Sequence, residues 1–68
     1  PLTLARTGES AQIQKVGGNP ETRRFLENLG FVPGEQVRVV SENNGNLIVS
    51  IKDARVAISR EMAGRILI

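Results

Sequence analysis

Apolar residues alternate with polar ones along most of the chain: Ala11 and Ile13; Val37 and Val39; Leu47, Val49 and Ile51; Val56 and Ile58; Ile66 and Ile68. A period of two puts each set on one face of an extended segment, so five short strands are predicted. The alternation is interrupted between residues 19 and 34, Asn-Pro-Glu-Thr-Arg-Arg-Phe-Leu-Glu-Asn-Leu-Gly-Phe-Val-Pro-Gly, which spell a helix start, a helix stop and a turn. Asn19 suits the N-cap, because its side-chain oxygen can accept an unpaired N–H, and Pro20 suits the first helical position, where its missing N–H costs nothing. Gly30, placed in a left-handed conformation, would bring Leu26 and Phe31 together as the apolar pair of a Schellman motif. A helix over residues 20–29, after the first strand, is therefore predicted, with Thr22, Phe25, Leu26 and Leu29 as its buried stripe. Pro33 and Gly34 fit the two central positions of a type II turn. Near the end, Ser59-Arg60-Glu61-Met62 predicts one helical turn, capped by Ser59, before the last strand.

The hairpins can be registered by requiring inward apolar residues to face each other. A two-residue turn at Asn44-Gly45 would set Val39 against Ser50 and Val37 against Lys52, burying a charge. A three-residue loop, Asn43-Asn44-Gly45, pairs Val39 with Val49 and Val37 with Ile51 and uses Gly45 at a left-handed position, so it is the register expected. A following turn at Asp53-Ala54 would set Ile51 against Val56 and Val49 against Ile58, although Ala54 tolerates a positive φ poorly. On the outward face, Val40 then lies opposite Ile48, Arg38 opposite Ser50, and Lys52 opposite Arg55. Val40 and Ile48 are apolar where polar residues belong. Either Leu2, Leu4 or the helix covers them, or they centre an apolar patch rimmed by Lys52 and Arg55 for an acidic partner surface. A second regularity is that Gly8-Glu9 precedes Ala11-Gln12-Ile13 just as Gly34-Glu35 precedes Val37-Arg38-Val39, which predicts two strands entered from similar turns.

Sixty-eight residues form one domain, 1–68, which hides only roughly 60% of its unfolded surface on folding. Five short strands cannot build a sandwich of ordinary size. A mainly β meander bent round on itself and plugged by one short helix closes a small SH3-like barrel. The chain has no Cys, His, Trp or Tyr, which excludes disulfides, thiol redox chemistry and imidazole or thiolate metal sites. No cofactor is expected. Nine Lys plus Arg against seven Asp plus Glu give +2 without a run of like charge, too mild a balance to name a nucleic-acid or membrane partner. No apolar run approaches the ~20 residues that cross a bilayer, and Pro1-Leu2-Thr3-Leu4 lacks the form of a secretory signal, so a cytoplasmic location is expected. A start at Pro1 fits removal of an initiator Met, and equally a chain trimmed there.

Catalysis has little to draw on. Without His or Cys the nucleophile pairs left are Ser or Thr with Lys15 or Lys52, and no spacing favours them. Gly17-Gly18-Asn19-Pro20 lacks the pattern of a nucleotide-binding loop and reads as a turn and a cap.

Gly8-Glu9, the Arg23-Arg24 helix, Leu29-Gly30-Phe31-Val32-Pro33-Gly34, Val56-Ala57-Ile58-Ser59 and Ala63-Gly64-Arg65-Ile66, taken together, resemble the FeoA family of small bacterial ferrous-iron-transport accessory proteins. The resemblance covers essentially the whole chain, and the helix end with its Pro-Gly continuation is its most specific element. One departure is visible, since the family often carries Gly in the turn where this chain has Lys52-Asp53-Ala54. The resemblance implies an SH3-like barrel acting in the cytosol beside FeoB, a membrane ferrous-iron transporter with a GTP-hydrolysing domain, as a regulatory or assembly subunit. The residues constrain that role: without His or Cys and with scattered carboxylates, tight iron binding is not expected, so the chain would assist iron movement without holding the metal.

Adjacent on the helix, Arg23 and Arg24 point at least one guanidinium to solvent; it is either a solvated face or a partner for carboxylates on the transporter. Candidate contact residues are thus Arg23, Arg24, Val40, Ile48, Lys52 and Arg55, with Asn19, Pro20, Gly30, Pro33, Gly34 and Gly45 as caps and turns. The alternatives are a nucleic-acid-binding β-barrel and the SH3-like domain of a metal-dependent repressor. The first is disfavoured because both Phe residues are expected in the core, and the second would need a longer parent protein. Self-association remains open.

Overall fold

A computed structural model describes all of residues 1–68. A single 3₁₀ turn at Leu2–Leu4 leads into β1 (Ser10–Gln12) and β2 (Lys15–Val16), then α1 (Pro20–Asn28). The meander β3 (Gln36–Asn43), β4 (Asn46–Ile51) and β5 (Ala54–Ser59) follows, and α2 (Arg60–Ala63) and β6 (Ile66–Leu67) close the chain. Strands β1, β3, β4 and β5 form one antiparallel sheet in that order, and β2 pairs with β6 in a second. The mainly β, SH3-like architecture expected from the sequence is present.

Six strands stand where five were expected, because the first one is broken at Ile13. Ile13 and Val16 are both buried, yet an odd spacing cannot put two side chains on one face of a flat strand. The chain resolves this by changing sheets: Ile13 N–H donates to Glu35 O at 2.9 Å, and Gln14 N–H donates to Leu67 O at 2.7 Å. This bend joins the two sheets around one core.

The helix is built as its residues dictate. Asn19 accepts a hydrogen bond from Thr22 N–H at 2.8 Å, Pro20 stands at N1, and Leu29 is the C-cap. Gly30, at φ +107, lets Phe31 N–H reach Leu26 O and Gly30 N–H reach Glu27 O, both at 3.0 Å, the two bonds of a Schellman motif. Glu35 N–H donates to Val32 O at 3.1 Å across Pro33 and Gly34, with Gly34 at φ +93. Glu9 N–H donates to Arg6 O at 3.0 Å across Thr7 and Gly8, with Gly8 at φ +88, so the two similar strand entries are the same kind of turn. Ser59 caps α2 by accepting from Met62 N–H at 3.1 Å.

The hairpin loops differ from expectation. Asn44 and Gly45 form a two-residue turn with positive φ at both, the type I′ signature, rather than a three-residue loop. The expected pairs Val39 with Val49 and Val37 with Ile51 are nevertheless present, because a bulge between Val39 and Ser41 makes Val40 an extra residue and restores the inward register. Ser41, and not Val40, is paired with Ile48. The next turn is Lys52-Asp53, with Ile51 paired to Ala54, Val49 to Val56 and Leu47 to Ile58. This offset of two residues keeps every side chain on its expected face and adds the Leu47–Ile58 pair to the core. Lys52 carries the positive φ, +53, and Arg55 lies across from Ser50, so the expected opposition of Lys52 and Arg55 does not occur.

Thirteen apolar residues from both sheets and both helices fill the interior, and no polar side chain is buried. Leu2 is fully buried among them, whereas Leu4 is 78% exposed. Of the expected helix stripe, Leu26 is buried and Thr22 and Leu29 are half-buried, but Phe25 is 48% exposed. One residue step turns a helix by about 100°, so Phe25 falls on the flank of the stripe that Thr22, Leu26 and Leu29 define. Phe31, fully buried, supplies the ring of the core.

Candidate functional site

The candidate residues fall on two separate surfaces. Arg23 and Arg24 are exposed on α1, and Arg24 joins Pro20, Glu21, Phe25 and Asn28 around an open depression of about 390 Å³. The Phe25 ring is also a wall of a neighbouring hollow with Glu21, Thr22 and the half-buried Met62 of α2. The helix face therefore presents an aromatic ring flanked by a guanidinium and a carboxylate. Sequence periodicity alone placed Phe25 inside; the odd residue out was visible only as its offset from Leu26.

The second surface is the outer face of the four-stranded sheet. Strand register sets Ser10, Arg38, Ser50 and Arg55 side by side across β1, β3, β4 and β5. Lys52, at the end of the hairpin, is 4.0 Å from Glu35, an exposed pair of the sort that contributes little to stability. Val40 and Ile48 are half-buried, so neither is the open apolar centre that the patch reading required. Neither Leu4, which is exposed, nor Leu2, which belongs to the core, stands out as a lid of the expected kind. Arg38, exposed and outward as expected, adds a cation to this face beyond the candidate contact residues.

Chemically, both surfaces offer recognition. Side-chain nitrogen and oxygen atoms buried without a hydrogen-bond partner are absent, and no three His, Cys, Asp or Glu residues gather where they could hold a metal ion. The depressions are shallow and open to solvent. No helix is long and apolar enough to cross a membrane.

The FeoA domain model matches residues 1–68, the full length of the chain. The chain belongs to the FeoA family. An Fe(2+) transport protein A of Methanocaldococcus jannaschii is 29% identical over 68 residues, covering 100% of this chain and 83% of that protein. Among solved structures, an iron uptake regulatory protein, FeoA, superposes with a TM-score of 0.89 at 27% identity, covering 97% of this chain and 89% of that one. The Stenotrophomonas maltophilia FeoA, a prokaryotic SH3 domain protein solved with zinc, gives 0.85 at 30% identity, covering 97% and 85%. A manganese-dependent transcriptional repressor also superposes, with a TM-score of 0.87 at 22% identity over 38% of its chain. That likeness is one of fold. The FeoA-family chain is thus placed with iron-transport proteins, and the repressor reading has only the shared barrel behind it. The premise used against nucleic-acid binding needs correcting, since Phe25 is at the surface; it stands beside Glu21, however, and not within a basic groove.

Proposed function

We propose that this FeoA-family chain is a non-enzymatic accessory subunit of ferrous iron uptake, working in the cytoplasm at the inner face of the membrane by binding the cytosolic part of the transporter FeoB. The observation that carries this reading is the family match over all of residues 1–68. The physical chemistry agrees with it: the chain has no imidazole or thiol, no enclosed cavity, and its carboxylates do not converge. What it has to offer a partner is shaped surface.

The α1 face is the contact surface in this proposal. Arginine and aromatic residues dominate the energetics of protein interfaces, because each combines a large apolar area with directional polar contacts. Arg24 and Phe25 supply both on one helical turn, with Arg23 alongside. Lys52 and Arg55, with Val40 and Ile48 behind them, form the secondary surface. The test is binding of the chain to the isolated cytosolic domain of the transporter, measured for three proteins. Arg24→Glu combined with Phe25→Ser is expected to weaken association by at least about tenfold, with a thermal midpoint near that of the parent because Phe25 is half-exposed. Lys52→Glu combined with Arg55→Glu is expected to have the smaller effect. Equal affinity for all three proteins would remove the helix face from the interface.

A further inference from the structure

The four-stranded sheet ends on β5, and that edge is open. Strand β5 pairs only with β4, and no backbone hydrogen bond outside the ladder involves any residue from Ala54 to Ser59. Edge strands are usually blunted by Pro, by bulges, by several charges or by covering elements. Over its six residues, Ala-Arg-Val-Ala-Ile-Ser, β5 carries one charge, no Pro and no bulge. Its Arg55 and Ala57 are exposed, and Val56 is only half-buried although it faces the core.

The direction of the free groups follows from the hairpin. Residues flanking a two-residue turn form a hydrogen-bonded pair, and such pairs then alternate along an antiparallel ladder. With Ile51 paired to Ala54, the backbone groups of Ala54, Val56 and Ile58 point toward β4. Those of Arg55, Ala57 and Ser59 point away, except that the Ser59 carbonyl opens α2, as an N-cap carbonyl does.

We infer that β5 is a self-association edge, at which two copies of this chain pair antiparallel about a two-fold axis through Ala57. The sequence of the edge is complementary to itself about that residue. With Ala57 on the axis, the N–H and C=O of Ala57 exchange both bonds with their counterparts. Arg55 C=O accepts from the N–H of Ser59 in the second copy. Val56 comes opposite Ile58, which continues the apolar inner face from one molecule into the next. On the outer face Arg55 meets a serine and not another cation, so no like charges oppose each other across the new ladder. Ala57, with a side chain of one carbon, lets the two strands approach at the axis. An axis at Val56 would make Val56 a non-hydrogen-bonded pair and bond Arg55 to Ala57 of the second copy, and it too uses the outward N–H of Ala57. This inference goes beyond the proposed transporter contact, which uses α1, and is independent of it.

A pairing of one short strand with another buries little surface, so the dimer is weak, and the experiment must span high concentration. Sedimentation velocity and two-dimensional amide NMR of the whole chain, from about 10 µM to about 1 mM, cover the range in which small interfaces populate. The expected result is a concentration-dependent dimer whose amide shifts are confined to residues 54–60, with the Ala57 and Ser59 amides gaining protection from exchange. Two variants keep the assignment falsifiable. Ala57→Pro removes the N–H at the axis while leaving the β4 ladder intact, since that N–H points outward. Ala57→Lys places like charges across the axis at an exposed position. Each is expected to raise the dissociation constant at least about tenfold with the fold retained. A chain that stays monomeric throughout, a dimer unaffected by Ala57→Lys, or shifts centred on another surface would overturn the inference.

Discussion

Lys52 is the residue that pays a conformational penalty in this structure. It adopts φ +53 at the first position of its turn, where a side chain crowds the backbone by roughly 1–2 kcal/mol. Its ion pair with Glu35 is exposed at both ends and offsets little of that cost. Lys52→Gly should therefore stabilise the fold by about 0.5–1 kcal/mol, the relief of strain exceeding the extra chain entropy that Gly loses. Urea unfolding of the two proteins checks this, and a less stable variant would show that the side chain does more than occupy the turn. Gly30 is the converse case. A Cβ there would meet Ile51 only at 3.9 Å, so φ +107 and not lack of space demands glycine.

Among the elements, legibility in the sequence depended on whether the signal was local. α1 could be read almost to the residue, because Asn19, Pro20 and Gly30 each act through a hydrogen bond or a φ value that neighbouring residues complete. The inward register of β3 and β4 could also be read, because burying Lys52 opposite Val37 was energetically excluded. The means by which that register is reached could not: a bulge at Val40 and a longer loop satisfy the same apolar pairing, and alternation is silent between them. Likewise the split between β1 and β2 depends on the two sheets competing for one strand. The bulge makes a direct prediction. Removing Val40 leaves a ladder that pairs Val39 with Val49 and Ser41 with Ile48 without interruption. The shortened chain should keep the cross-strand contacts of Val39 with Val49 and Val37 with Ile51 in NMR spectra, while losing stability through the curvature that bulges supply. Loss of those contacts would mean that the bulge, and not the turn with its apolar pairs, holds the register.

For the molecule as a whole, the candidate site was legible only in part. Arg24 could be named from its exposed position on the helix, but Phe25 could not, because a ring at helical spacing near Leu26 reads as core, and which flank of the stripe faces solvent is set by the packing of the helix on the sheets. Lys52 and Arg55 rim one patch only in a register that the structure offsets by two residues. Composition, by contrast, bears on chemistry at any register. A chain without His or Cys, and with carboxylates dispersed over its surface, lacks the donors that hold Fe²⁺ tightly. Titration of Fe²⁺ or Co²⁺ into the purified chain should reveal no saturable stoichiometric site of submicromolar affinity; such a site would contradict the assisting role proposed here.

That role makes the barrel a scaffold that presents surfaces, with Arg24 and Phe25 on one side and the β5 edge on another. Its most direct test is calorimetric titration of this chain into the isolated cytosolic domain of the ferrous-iron transporter encoded in the same genome. The account predicts saturable binding whose affinity falls on combining Arg24→Glu with Phe25→Ser. Absence of heat and of any co-migrating complex, with both proteins folded, would contradict it.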